Sequence, residues 1–198
     1  MYEVWRDKLI AAARRDQETR ARLAASGALF NGYNAEMEAV NIENAELLAQ
    51  AYAEIGWTSR EKLGDEGAVA AFFLLQHAIS RPDVQRRGLG LMLEAIPRNE
   101  ANPLDAACLA DRIAVLEGRP QAFGTQFDWD NHGLLSPAQI ADPARVDERR
   151  ATVGLPPINE AIAEMRARAA AEGERPPPDL AQRRLDYAAW ARRVGWRA

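Results

Sequence analysis

Ala68-Val69-Ala70-Ala71-Phe72-Phe73-Leu74-Leu75-Gln76-His77-Ala78-Ile79 is the stretch that decides the fold. Asp65 can cap it, and apolar residues cover every face, so it reads as the buried central helix of a helical domain. Before it lies a glycine-bearing loop, Trp57 to Gly67. Further back, Met37, Val40, Leu48, Ala51 and Ile55 form one stripe of a helix from about Ala35 to Ile55, with Gly56 as its C-terminal cap. Gly27 through Gly32 separates that helix from a first one, roughly residues 3–25. There Trp5, Leu9, Ala12 and Leu23 recur at helical spacing.

Downstream, Ser80 and Pro82 restart a helix through about Ile96, and Asn102-Pro103 starts another through Glu117, capped by Gly118. Thr125 to Leu135 carries an N-x-G turn between short apolar-alternating runs, the pattern of a hairpin. Asp142-Pro143 opens a short helix that stops near Gly154. Ile158, Ile162 and Met165 mark a helix over about 157–171. Gly173 to Pro178 reads as a stiff linker before a last helix at about 179–194. The fold class is therefore all-α: a bundle of about seven to eight helices with one small β-hairpin near 125–136. A single domain is expected over 1–172, then a linker over 173–178. A C-terminal Arg/aromatic helix over 179–198 should dock on the body, or across a homodimer.

Composition agrees and excludes several chemistries. Of 198 residues, 39 are alanine, the best helix former. Lys8 and Lys62 are the only lysines, and no G-x-x-x-x-G-K-[ST] occurs, so a P-loop is out. His77, His132 and Cys108 are too few for a closed zinc site, and one cysteine allows no intrachain disulfide. The lack of a long apolar run argues against a membrane span. The polar start Tyr2-Glu3-Val4-Trp5-Arg6-Asp7 argues against export, so a cytoplasmic protein is expected. The net charge of −4 divides into +3 over residues 145–198 and −7 over the rest, which argues against general nucleic-acid binding.

The informative positions are polar residues on apolar stripes, because burying them costs free energy unless they are paired. Asp16 and Arg20 lie four apart on the first helix and can pair across one turn. Asn44 interrupts the stripe of the second helix. Asp111, beside Arg112, interrupts the fifth. His77, next to Gln76, ends the most apolar helix, either as a core histidine or as a general acid or base facing a pocket. Gln121, Thr125 and Gln126 lie in a loop whose glycines and proline fix the backbone, so their polar groups have set directions. Arg149 and Arg150 close a short helix, as C-terminal cations or as a clamp for an anion.

Several of these positions fall into ordered blocks. Gly56-Trp57, Gly64-Asp65-Glu66-Gly67-Ala68 and Gln76-His77 form one. Asp111-Arg112, Gly118-Arg119-Pro120-Gln121 and Gly124-Thr125-Gln126 form a second. Asp147-Glu148-Arg149-Arg150 with Val153-Gly154-Leu155-Pro156 form a third, and Asp16-Gln17 with Arg20 a fourth. Over roughly residues 5–160 they resemble a bacterial family of domains of unknown function that carries G-W-P, Q-H-A, D-R and G-x-P-Q-x-[YF]-G-T-Q motifs. Thr58 replaces the usual proline, and Ile79 stands where an acidic residue commonly follows. The resemblance implies no reaction.

The leading expectation is a helical enzyme, or enzyme-like binder, with a polar internal pocket for a small polar or anionic molecule or a peptide end. His77 would be the acid/base, oriented by Asp111 or Asp16. Gln76, Arg112, Gln121, Thr125, Gln126, Asp16, Arg20 and Arg149 would hold the ligand. The alternative is a non-catalytic protein-interaction module of immunity or adaptor type, in which the same residues are structural networks. The two histidines share no ligand spacing, so no metal or other cofactor is expected.

Overall fold

A computed structural model describes residues 1–30 and 34–198. Its elements are helices α1 (Tyr2–Ala25), α2 (Ala35–Ile55), α3 (Arg60–His77), α4 (Pro82–Ala95), α5 (Pro103–Leu116), α6 (Val146–Thr152), α7 (Ile158–Ala171) and α8 (Leu180–Arg193). Strands β1 (Phe127–Trp129) and β2 (Leu135–Pro137) form an antiparallel pair. The expected all-α bundle with one small hairpin is what the chain forms. The expected break at 27–32 ends in residues 31–33, outside the described ones. Among the described residues no helix is long and apolar enough to cross a membrane.

The chain divides into two compact units, Met1–Asn102 and Pro103–Ala198. In the first, α1 packs along α3 and α2, and α4 packs on α2 and α3. Leu9, Ala45, Leu48, Ala51, Leu74 and Leu75 are fully buried, each leucine contributing about 1.5–3 kcal/mol on removal from water. Two expectations change. The loop at 57–67 is largely helical: α3 starts at Arg60 and kinks at Gly64, whose φ of 68° only glycine adopts readily. Nor is α3 apolar on a wholly buried surface, since Val69 is 61% exposed. The helix turns one edge to solvent.

In the second unit, α5 leads into the hairpin, and α7 packs on β2. Asp130 shapes the hairpin turn. Its carboxylate accepts the backbone N–H of His132 and Leu134 and the hydroxyl of Ser136. α8 meets the hairpin through arginines: Arg183 Nη1 donates to Asp128 at 2.6 Å, and Arg184 donates to Asn131 Oδ1 and the Trp129 carbonyl. Past the helix, Arg197 donates to the Val115 and Leu116 carbonyls at the end of α5, and Trp190 and Trp196 are buried.

Among the described glycines, the closest approach is at Gly88. A Cβ there would lie 2.6 Å from Leu75 Cδ1 and 3.2 Å from the Tyr52 hydroxyl. Leu75 is fully buried and has nowhere to retreat. Gly88→Ala should therefore cost about 1–3 kcal/mol despite alanine's better helix propensity, measured as a lower denaturant midpoint with unchanged slope.

The hairpin carries a pH prediction. The Leu134 N–H, then the Ser136 hydroxyl and the His132 N–H, hold the Asp130 carboxyl below the ordinary aspartate range. A depressed folded pKa stabilises above the unfolded value and is lost as pH falls through the folded one. The His132 and Leu134 amide resonances should hold their positions at neutral pH. They should move together only once the solution is more acidic than an ordinary aspartate pKa.

Candidate functional site

The stripe that buries Trp5, Leu9 and Ala12 of α1 continues into Asp16, whose carboxylate is 0% exposed. Such a charge persists only when paired. Three helices supply the partners. From the end of α3, His77 Nδ1 lies 3.0 Å from Asp16 Oδ1. One turn along α1, Arg20 Nε lies 3.6 Å from the same oxygen. From α2, the Asn44 amide lies 3.5 Å from Oδ2. Asn44 Oδ1 in turn accepts from Arg15 at 3.2 Å, and Arg15 pairs with Glu43 at 2.9 Å.

This geometry selects the histidine tautomer. A carboxylate can only accept, so the His77 ring carries its proton on Nδ1, facing Asp16. The alternative would set two lone pairs against each other at 3.0 Å. Arg20 Nη2, 3.4 Å from Nδ1, is then a neighbouring cation rather than a donor to the ring. Nε2 keeps its lone pair and has no hydrogen-bond partner among the described residues. The side chain is 21% exposed.

The ring is held from two further sides. Phe73, one turn back on α3, meets it edge-on with centroids 4.1 Å apart. Fully buried Gln85 of α4 donates to the Leu75 and Gln76 carbonyls at 2.9 and 3.1 Å, tying down the last turn of α3. Gln85 is the position beside this cluster that sequence reading misses. Its only signal is a polar residue between Val84 and Gly88 on a buried stripe. Two open concavities lie along α1, of about 690 and 450 Å³. Arg6, Arg14 and Glu66 line the first, and Lys8, Arg15 and Asn44 the second; His77 lines neither.

The remaining candidates belong to the second unit, where they hold backbone. Asp111 of α5 is 1% exposed. It accepts the N–H of Ala122 at 2.7 Å and those of Phe123 and Thr125 at 3.0 Å, and also the Thr125 hydroxyl at 3.0 Å. Gln121 is fully buried. It donates to the Gln126 and Ala138 carbonyls and accepts the Gln126 N–H, each at 2.9 Å. The Gln126 amide reaches the Cys108 carbonyl and the Thr125 hydroxyl. Arg149 donates to the Ala122 and Asp142 carbonyls, and buried Arg150 to those of Phe123 and Pro156. Burial lowers the pKa of the Arg150 guanidinium. Arg112 places its charge near Tyr187. Gly124, at φ +69°, lies where a Cβ would meet Ile158 Cδ1 at 2.8 Å.

The sequence-level candidates thus fall into two groups. Asp16, Arg20, Gln76 and His77 belong to the first unit, and Asp111, Arg112, Gln121, Thr125, Gln126 and Arg149 to the second. Of the two carboxylates considered for orienting His77, Asp16 makes the bond. Asp111 spends its accepting capacity on the 122–125 loop. His132 is exposed, on the hairpin turn.

An all-α bundle with a small hairpin, a buried carboxylate–histidine pair in one unit and a carboxylate-clamped loop in the other is the class of protein so defined. The chain belongs to the family described as a family of unknown function (DUF6624), whose model matches residues 4–171. No curated protein and no solved structure matches it.

Asp111→Asn would turn an NH₂ group toward donors that now meet a carboxylate. The expected cost is about 3 kcal/mol or more, read as a fall in the denaturant midpoint. Loss of protection at the Ala122, Phe123 and Thr125 amides should accompany it in hydrogen exchange.

Proposed function

We propose that the first unit carries a histidine acid–base site, Asp16–His77 with Arg20 beside it, that binds or acts on a small polar or anionic molecule. One observation carries this reading: the 3.0 Å bond from His77 Nδ1 to a fully buried carboxylate, which leaves Nε2 open. Here Asp16 fixes the tautomer and the ring's orientation, the task a carboxylate performs beside an acid–base histidine. Arg20, 36% exposed, supplies a cation for an anionic group arriving from solvent.

A non-catalytic interaction module is the second reading. The self-contained hydrogen bonding of Asp111, Gln121 and Arg149 favours it for the second unit, where the polar residues serve the loop.

Having only two histidines makes a direct test simple. In limited modification by diethyl pyrocarbonate, His77 should react faster than exposed His132, because the Nδ1–H bond to Asp16 keeps the reactive lone pair on Nε2. Asp16→Asn should remove that advantage while His132 keeps its rate. Equal or slower reaction at His77 in the native chain would sink the acid–base reading.

A further inference from the structure

The same dyad supports a more specific activity, resting on the acid–base reading above. We propose that His77 Nε2 is a phosphoryl acceptor, taking the group from a small activated phosphate such as an acyl phosphate or phosphoramidate. Three features match the needs of that step. The lone pair is on Nε2 because Asp16 holds the proton on Nδ1, and the side chain is 21% exposed. The carboxylate that faces Nδ1 is fully buried and therefore strongly felt by the ring. A guanidinium lies beside the ring, with Arg20 Nη2 3.4 Å from Nδ1.

In the transfer, the Nε2 lone pair forms the N–P bond while the bond from phosphorus to the leaving group breaks. The leaving group departs with that electron pair, as a carboxylate or as ammonia. The Nδ1 proton stays in place. The ring becomes cationic and the phosphoryl group remains a dianion. Asp16 offsets the first charge, and the Arg20 guanidinium, 3.4 Å from Nδ1, supplies the cluster's positive charge against the second. A nucleophile needs its lone pair to reach a small donor, and the His77 side chain is 21% exposed. Phe73 packs edge-on against the ring, and Gln85 holds the carbonyls of the helix turn that carries it.

The test uses the full chain and phosphoramidate at neutral pH, with ³¹P NMR and peptide mapping under alkaline conditions that preserve phosphohistidine. His132, exposed on the hairpin turn, is the internal reference. His77 should be labelled roughly tenfold faster than His132 or more, and should fall to the His132 rate in urea. Arg20→Gln should slow labelling at His77 alone. The proposal is overturned if His132 keeps pace in the native chain, or if His77 labels equally fast unfolded. The two readings separate cleanly. If His77 outpaces His132 toward diethyl pyrocarbonate but not toward phosphoramidate, the acid–base site stands and the phosphoryl acceptor falls. If it outpaces His132 toward neither reagent, both fall.

Discussion

A carboxylate with no exposed surface is the constraint around which the first unit is arranged. Asp16 occupies a position on α1 where an apolar residue would pack without further conditions. Instead it requires α2 and α3 to deliver Asn44 and His77 within reach, and it recruits Arg20 from its own helix. A charge removed from water costs several kcal/mol unless its partners are in place. The packing of α1 along α3 and the charge balance of the cluster therefore depend on each other. Gln85 extends the arrangement into α4 by holding the carbonyls of the turn that ends at His77.

The second unit uses the same kind of group differently. Asp111 is as deeply buried as Asp16. Its partners, however, are three backbone N–H groups and a hydroxyl within one loop, so nothing is left for a ligand. Gln121, Arg149 and Arg150 complete the loop by taking its carbonyls and those of neighbouring segments. A dense cluster of amides and guanidiniums in sequence resembles a binding loop. In the fold it is a substitute for regular secondary structure, pairing backbone groups that would otherwise be buried unsatisfied. The contrast makes His77 the more informative residue: its partner fixes one nitrogen and leaves the other open.

Much of this was legible in the residues themselves. The α2 stripe and the Gly56 cap place that helix at Ala35–Ile55, and the N-x-G turn places the hairpin. These are local signals, set by the period of a helix and by the φ/ψ demands of particular turn residues. Glycine density misleads at 57–67, because one residue, Gly64, absorbs the break as a kink while Ser59 already starts the helix. Val69 misleads for a different reason. An all-apolar face states what a helix can bury, and neighbouring elements decide what it does bury.

By itself, the sequence determined the helical class, most element boundaries, and which polar residues had to find partners. Asp16, Asn44 and Asp111 stand out because they interrupt apolar stripes, and His77 because it ends the most apolar helix. Only the tertiary structure decided who those partners are. The Asp16–Arg20 pair is one helical turn long and readable from spacing. The Asp16–His77 bond spans 61 residues, and Asp111 answers a loop rather than the histidine. Periodicity fixes which face of a helix a residue occupies, but it says nothing about which other helix that face meets. That is set by packing, where shape and the need to satisfy every buried charge act together.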